Sequence, residues 1–544
     1  MRDAILGMGL IRPEELTDIP LSTGLGSGVY GGYAYLNLSI QRVASARVPG
    51  GKATDADVNM LGVGEPPPHE PMPGERNLRA SLAGLRYIWR LTRTTELPQL
   101  MADRRRVDTY LQSLDDPPTA TDHSLRSSVD KLMPVFTDLF RTHLEVTVAA
   151  STLVSVLSNL CEQQLDDPNL TVTLLTGLGD VDSAAPSEML WDLGRLANSN
   201  AAVTAQFDQG VDGLLERLTA TPEAAPFNAE FERFIERFGS RGPNEWDTAF
   251  DTWETNPTLA LTLVDRMRGA EDDHDPRRQQ ARLAAEAKAA ERDALAKISR
   301  PVRGMFRRVL AAAKLYSRSR ERTKTTVIRA IHGARLQSME LDRRLVERSG
   351  GQRGDLWFIV SSELDDYVAD PGRFQGIIAE RREQHQRISE RVPPFFFSGS
   401  QPPLDEWELR TAGRAVLPPG EQLDGLPGCP GTAVGRARVI TDPADPGALG
   451  PGDVLVAPLT DPAWTPLFVP AAAVVVDVGA IMSHAVIVSR ELGIPCVVSA
   501  TDATKRIPDG ALIEVDGSAG TVKVLEGPAS DGSDDPDAPA GQEA

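Results

Sequence analysis

Three cysteines in 544 residues are too few and too scattered to build anything covalent. Cys161, Cys429 and Cys496 form no C-x-x-C pair, so neither a disulfide framework nor a zinc site is expected. They read as free thiols in a reducing compartment, which points to the cytoplasm. Aromatic residues are also sparse, at 5%. Basic charge is in deficit: 57 Lys and Arg against 77 Asp and Glu give a net charge of −20. Non-specific binding to nucleic acid or to an anionic membrane is thereby disfavoured, because both are polyanions. A local basic pocket for a phosphate remains compatible with the total. No uninterrupted apolar run approaches the ~18 residues of a membrane span. The opening stretch lacks the basic and apolar regions of a signal peptide. No fixed-period repeat and no G-x-x-x-x-G-K-[ST] loop occurs.

What is present divides into regions. The length allows two to four domains. Residues 1–75 are rich in Gly and Pro, and Tyr33-Ala34-Tyr35-Leu36-Asn37-Leu38 within them suits a short strand. The run Gly24-Leu25-Gly26-Ser27-Gly28 precedes that strand rather than a helix and reads as a plain turn. Residues 76–392 are helical in pattern, with apolar residues at i, i+3, i+4 and i+7 over 79–101, 124–164 and 186–218. The stretch 277–300 is rich in Ala, Glu, Arg and Lys, with high helix propensity. Residues 393–427 carry repeated prolines and read as a linker. Residues 428–526 hold short β-branched runs at 433–440, 453–457, 471–478, 496–499, 512–515 and 521–524, the pattern of a small α/β domain. Residues 527–544 are acidic and rich in Pro, Gly and Ser, the composition of a disordered tail. The expected fold is therefore multidomain: a mainly α-helical N-terminal region and a small C-terminal α/β domain.

The segment 475–495 carries the sharpest chemical signal. It reads as strand, glycine turn, helix, stop. Ser483 is placed as N-cap, Gly493 as the left-handed residue after the helix, and Pro495 as the barrier to continuation. His484 then lies in the first turn. The positive helix end disfavours an imidazolium, so the ring should be neutral and nucleophilic. The same turn offers N–H groups to a phosphoryl group. A capping or packing role for His484 is the competing reading. His69, His123, His143, His274, His332 and His385 read as structural or surface histidines.

This segment closely resembles the phosphohistidine signature of the PEP-utilising enzymes, the family of pyruvate phosphate dikinase, PEP synthase and rifampicin phosphotransferase. Gly428-Cys429-Pro430-Gly431-Thr432-Ala433-Val434-Gly435 with Arg436-Ala437-Arg438 resembles the opening of that domain. Pro451-Gly452-Asp453-Val454-Leu455-Val456 and Thr460-Asp461-Pro462-Ala463-Trp464-Thr465-Pro466-Leu467 resemble its middle, and Val515-Asp516-Gly517 with Gly520-Thr521-Val522 its end. Ala480, in place of a second Gly, and Val486 and Ser489, in place of alanines, depart mildly from the pattern. The resemblance implies a swivelling domain with His484 as phosphohistidine nucleophile and Gly479, Ser483 and Ala485 as its phosphate-binding loop. It extends in patches upstream. Phe238-Gly239-Ser240-Arg241-Gly242-Pro243-Asn244-Glu245-Trp246-Asp247 with Trp253, then Arg320-Glu321-Arg322-Thr323-Lys324, then Asp355-Leu356-Trp357-Phe358 with Glu363-Leu364, keep the family order. These imply an acceptor domain with Arg320 and Lys324 as catalytic cations and Arg241, Glu245 and Glu321 in the substrate region. Arg320 and Lys324, four apart on one helix face, suit a shared phosphate. Arg241 and Glu245 also suit a structural ion pair.

The family's ATP-grasp domain is not recognised here, nor is a PEP-binding barrel. The resemblance therefore implies a phosphotransferase subunit. It would receive a phosphoryl group on His484 from a separate ATP-grasp protein and pass it to a small-molecule acceptor. ATP and Mg2+ would sit on that partner, with no cofactor or metal bound directly, no nucleic acid and no membrane. The alternative is a non-enzymatic phosphocarrier or regulatory protein phosphorylated on His484.

Overall fold

Two long helices organise the N-terminal region. The first, Asp122–Leu165, starts where the Thr121 hydroxyl accepts the Ser124 N–H at 3.2 Å. The second, Arg300–Ser349, runs for 50 residues, or ~75 Å at 1.5 Å per residue, and stops at Gly350, whose φ of 68° suits glycine. They pack along each other. Ala149, Ala150, Leu153 and Leu157 of the first share a core with Val309, Ala312, Ala313 and Tyr316 of the second. The structure is a computed structural model. It describes residues 27–47, 51–54, 78–167, 170–179, 185–270, 275–410, 415–443, 449–460, 464–480 and 483–528, with isolated positions between them.

The periodicity at 79–101 is two helices, Leu78–Leu91 and Pro98–Gln112, parted before Pro98. That at 186–218 is three: Ala185–Ser199, Ala201–Phe207 and Leu214–Ala220. Asn200 breaks the first join by capping Ala202 and Val203, and Gly213, at φ 65°, precedes the third helix. Pro276–Lys297 forms as expected. The absence of a membrane-length segment needs correcting. Asp122–Leu165 is long and apolar enough by length and composition to cross a membrane, although its apolar face is the one packed on the 50-residue helix.

The strands Ser27–Tyr30 (β1) and Tyr33–Leu36 (β2) form a hairpin turned by Gly31 and Gly32. The hairpin grips the proline-rich stretch. The Tyr30 and Tyr35 rings meet Phe397 edge-on at 5.3 and 4.9 Å, and the Tyr35 hydroxyl donates to the Pro394 carbonyl at 2.8 Å. Arg391–Val392 (β3) pairs with Glu408–Leu409 (β4). The expected linker 393–427 is therefore mostly folded structure. From Leu417 onward the chain already lies on the C-terminal domain, where the Leu417 N–H donates to the Arg506 carbonyl. The C-terminal domain therefore begins before residue 428. The tail from residue 529 and most of 1–26 lie outside the described residues.

The C-terminal domain is an eight-stranded sheet. In chain order its strands are Gln422–Asp424 (β5), Leu426–Cys429 (β6), Thr432–Val439 (β7), Val454–Ala457 (β8), Ala473–Val476 (β9), Cys496–Val498 (β10), Leu512–Asp516 (β11) and Thr521–Glu526 (β12). The spatial order is β5-β12-β11-β7-β8-β9-β10-β6. β7, β8, β9 and β10 run parallel, and the other pairings are antiparallel. The helix His484–Leu492 crosses from β9 to β10. Thr460 and His484 thus follow the carboxyl ends of two adjacent parallel strands, where open α/β sheets place their ligands. Cys429 and Cys496 face each other across β6 and β10. Burial pushes both up to about 12, so they remain protonated.

The domain is docked on the helices. One apolar core joins Phe234, Trp253 and Leu261 of the helical region to Trp464, Leu467, Phe468 and Val486. Arg266 donates to the carbonyls of Leu449 and Gly447. A Cβ on Gly493 would lie 3.1 Å from the Leu283 side chain. The Leu178 N–H donates to Glu491 at 3.3 Å, yet burial pushes that carboxyl from 4.5 up to about 7. Docking therefore takes up a proton. Its stabilisation is fully present below about pH 4.5 and is lost as the pH rises through about 7, a span worth on the order of 3 kcal/mol. Glu491→Gln should hold the domain docked independently of pH, whereas the unaltered protein should release it progressively between pH 5 and pH 8. Small-angle scattering or interdomain energy transfer across that range measures this, and identical curves for the two proteins would refute it.

Candidate active site

His484 opens its helix because β9 ends in a turn that only a small residue allows. A Cβ on Gly479 would lie 3.1 Å from both the Ser483 Oγ and the Val498 Cβ. Ser483 then takes the extended N-cap conformation, and its carbonyl accepts the Ile487 N–H. Its hydroxyl caps nothing, contrary to the expected cap: Ser483 Oγ is buried with no hydrogen-bond partner among the described residues. Such a group costs stability unless something meets it. Ala485 is buried in the first turn.

Two threonines hold the imidazole. Thr465 Oγ1 is 3.1 Å from Nε2, and Thr460 Oγ1 is 3.2 Å from Nδ1. Phe468 meets the ring edge-on at 6.1 Å. With a hydroxyl at each nitrogen, a neutral ring can donate from one and accept at the other. Its pKa is held far below the usual imidazole range. Burial is the largest cause, followed by the charges of Lys324, Arg241 and Arg320. Neutrality was expected from the helix N-terminus alone, but burial and three cations from the other domain enforce it.

Those cations come from two elements. Arg320 and Lys324 lie one turn apart on the 50-residue helix. Arg241 comes from the loop after the helix Ala225–Phe238 and donates to Thr325 at 3.1 Å. Glu245 completes the group. It is fully buried and pairs with Arg241 at 2.7 Å and Lys324 at 3.1 Å. The Arg241–Glu245 ion pair is thus present, and Lys324 joins it. Arg241, Arg320 and Lys324 all act on the His484 ring, a set of cations that suits a phosphoryl group. The fully buried Arg335 fixes the loop by donating to the carbonyls of Glu245 and Asp247 at 2.7 and 2.9 Å. Glu321 lines a cavity of about 30 Å³ together with Arg320, Ile487, Arg490 and Glu491, between the 50-residue helix and the docked helix.

Sequence reasoning missed Thr460 and Thr465, although both stand in the stretch 460–467 that carried the resemblance. It also read His143 as structural. His143 lies on the helix Asp122–Leu165, with Nδ1 3.0 Å from Thr323 Oγ1, and it feels the charges of Arg320 and Lys324. Trp246 packs on it, with ring centroids 6.0 Å apart. His332 lies against Glu254, with Nε2 2.9 Å from its carboxylate. A cleft of about 510 Å³ runs between the domains up to Thr460, lined among others by Asn244, Phe250, Leu259 and Trp464. Among the described residues, no group of three or more His, Cys, Asp or Glu side chains converges as metal ligands.

Both halves of this arrangement have counterparts. Residues 142–323 match the fourth domain of rifampicin phosphotransferase, and residues 449–520 match the mobile domain of PEP-utilising enzymes. The site lies where the two matches meet. An uncharacterized protein of Mycobacterium tuberculosis is 35% identical over 338 residues, 59% of this chain and 36% of its own length. The prodigiosin synthesizing transferase of Serratia marcescens is 28% identical over 430 residues, 76% of this chain and 47% of its own. A rifampicin phosphotransferase of Streptomyces sviceus is 29% identical over 383 residues, 68% and 43% respectively. The chain therefore spans less than half the length of these relatives.

Glu245→Gln should destabilise the protein by about 3 kcal/mol or more, because it strands buried cations. Urea unfolding should show a lower midpoint at unchanged slope. An unshifted midpoint would mean that Arg241 and Lys324 do not need the carboxylate.

Proposed function

We propose that this chain, which carries the mobile domain of the PEP-utilising enzymes and resembles rifampicin phosphotransferase, is a phosphotransferase module that relays a phosphoryl group through His484 to a small-molecule acceptor. The observation that carries the reading is the meeting of a neutral histidine at a helix N-terminus with Arg241, Arg320 and Lys324 from the opposite domain. A neutral ring is the form that attacks phosphorus. The three cations are placed to stabilise the charge on the transferring group's oxygens, and positioning supplies most of the remaining acceleration. Ser483 Oγ and the first-turn N–H groups are the donors for those oxygens.

In the docked state the His484 ring faces the cations of the helical region. Loading by a separate protein therefore belongs to an undocked state in which the ring is accessible. We assign the donor to a separate ATP-grasp protein that holds ATP and Mg2+, in the reducing cytoplasm. The acceptor is held by the helical region.

Incubation with a candidate ATP-grasp protein and phosphate-labelled ATP should place an acid-labile, base-stable label on the chain, lost entirely in His484→Ala. Equal label in His484→Ala would refute the assignment. Lys324→Met should keep the label but slow its transfer by about 100-fold, the scale of one lost electrostatic donor. Single-turnover decay of the labelled protein reads this. A stable label that no acceptor discharges would instead identify a carrier without acceptor chemistry.

A further inference from the structure

The acceptor side of the site contains a second histidine whose hydrogen bonds define its state. The Thr323 hydroxyl donates its only proton to the Arg320 carbonyl at 2.8 Å. Toward His143 it can only accept, so His143 Nδ1 carries the proton of that 3.0 Å bond. Nε2 is then the lone-pair nitrogen. No described residue bonds to it, and His143 is only partly buried, which leaves Nε2 available to an incoming molecule. The ring is walled by Phe140 and Trp246, at 6.3 and 6.0 Å between centroids. Phe136 stacks behind Phe140 at 5.3 Å, and Trp246 keeps 39% of its surface exposed. The two cations that act on His143, Arg320 and Lys324, are two of the three that act on His484.

We infer that His143 Nε2 is the group that accepts the proton of the acceptor hydroxyl during phosphoryl transfer from His484. The inference rests on the reading of His484 as phosphoryl carrier. The acceptor oxygen bonds to phosphorus as the bond from phosphorus to the His484 nitrogen breaks. That nitrogen keeps the electron pair. With its other nitrogen protonated against a threonine hydroxyl, His484 leaves as neutral imidazole. The hydroxyl proton moves to His143 Nε2 and is then released to solvent, driven by Arg320 and Lys324 once the phosphorylated product departs. The exposed aromatic wall suits an acceptor whose hydroxyl is borne on an apolar or aromatic body.

Before the phosphoryl group arrives, His143 is held at about 3, by burial first and then by Arg320 and Lys324. It is therefore unprotonated and ready across the neutral range. Other charges around it are Glu245, which lies on Lys324, and the Asp138–Arg141 pair on its own helix. A dianionic phosphoryl group on the two cations offsets their charge and raises the basicity of Nε2 at the moment it is needed.

The full chain can be phosphorylated with phosphoramidate, which needs no protein donor, and the label mapped by mass spectrometry. Discharge of phospho-His484 is then followed by phosphorus NMR, to water alone and to added phenol, between pH 5 and pH 9. His143→Gln keeps a donor for Thr323 but has no basic nitrogen. It should form phospho-His484 normally and discharge it to phenol about 100-fold more slowly across that range. Thr323→Val, which frees the tautomer, should slow discharge, and Thr323→Ser should restore it. Normal phospho-His484 with unchanged discharge and pH profile in His143→Gln would overturn the inference alone. No phosphate on His484 in the unaltered chain would overturn the carrier reading and this inference with it.

Discussion

A single buried carboxylate sets the terms for the site. Glu245 is fully enclosed and answers two cations, Arg241 and Lys324, while Arg320 stands beside them. Burying charge without a partner costs several kcal/mol, so an apolar interior would not keep this group. With Glu245 it can be kept. The charges of Lys324, Arg241 and Arg320 add to burial in holding His484 neutral, and in the proposed relay they would meet the dianion of a phosphoryl group. Other contacts hold the group in place. Arg335 pins the loop carbonyls of Glu245 and Asp247, and the 50-residue helix fixes Arg320 and Lys324 one turn apart.

These charges also bear on how the two domains meet. A cationic cup on the helices and a helix N-terminus on the sheet domain repel electrostatically, since both are positive. The contact must be stabilised by something else, and the apolar core from Phe234 and Trp253 to Trp464 and Phe468 supplies it. A phosphoryl group carried on His484 would convert that repulsion into attraction. The loaded domain would then favour the acceptor side and the discharged domain would be released. The proline-rich stretch stays with the N-terminal region, being tied to the Tyr30 and Tyr35 hairpin.

Elements whose cause is local were legible in the sequence. The helix after β9, its left-handed Gly493 and the strands of the parallel core follow from glycine placement and β-branched runs. The periodicity of 124–164 and 277–300 was also sufficient. Boundaries failed where a single residue interrupts a continuous pattern, as Asn200 does by capping a new helix. The proline-rich stretch 393–427 looked like a linker because prolines exclude helices. What fixes it is aromatic contact with residues more than 350 positions earlier, as the Tyr35–Pro394 bond shows. Long-range contact also hid Thr460, Thr465 and His143. A threonine or a lone histidine has no periodic signature, and only the fold brings these side chains to the reacting ring.

The two histidines at the site share Arg320 and Lys324, and their partners divide the labour. His484 has a hydroxyl from its own domain at each nitrogen, and each hydroxyl can rotate to donate or accept. His143 is anchored through Nδ1 to Thr323, whose own proton is committed to a backbone carbonyl of the rigid helix. Its tautomer is fixed by the main chain and does not depend on docking. In the proposed roles, a carrier needs hydroxyls that adapt to a ring nitrogen gaining or losing phosphorus, and a proton acceptor must keep one nitrogen available whenever a phosphoryl group arrives. Hydroxyls that can rotate to donate or accept serve the first requirement, and a hydroxyl locked as acceptor serves the second. The same residue type, under the same two charges, is thus directed to different chemistry by the hydrogen-bond capacity of neighbouring threonines.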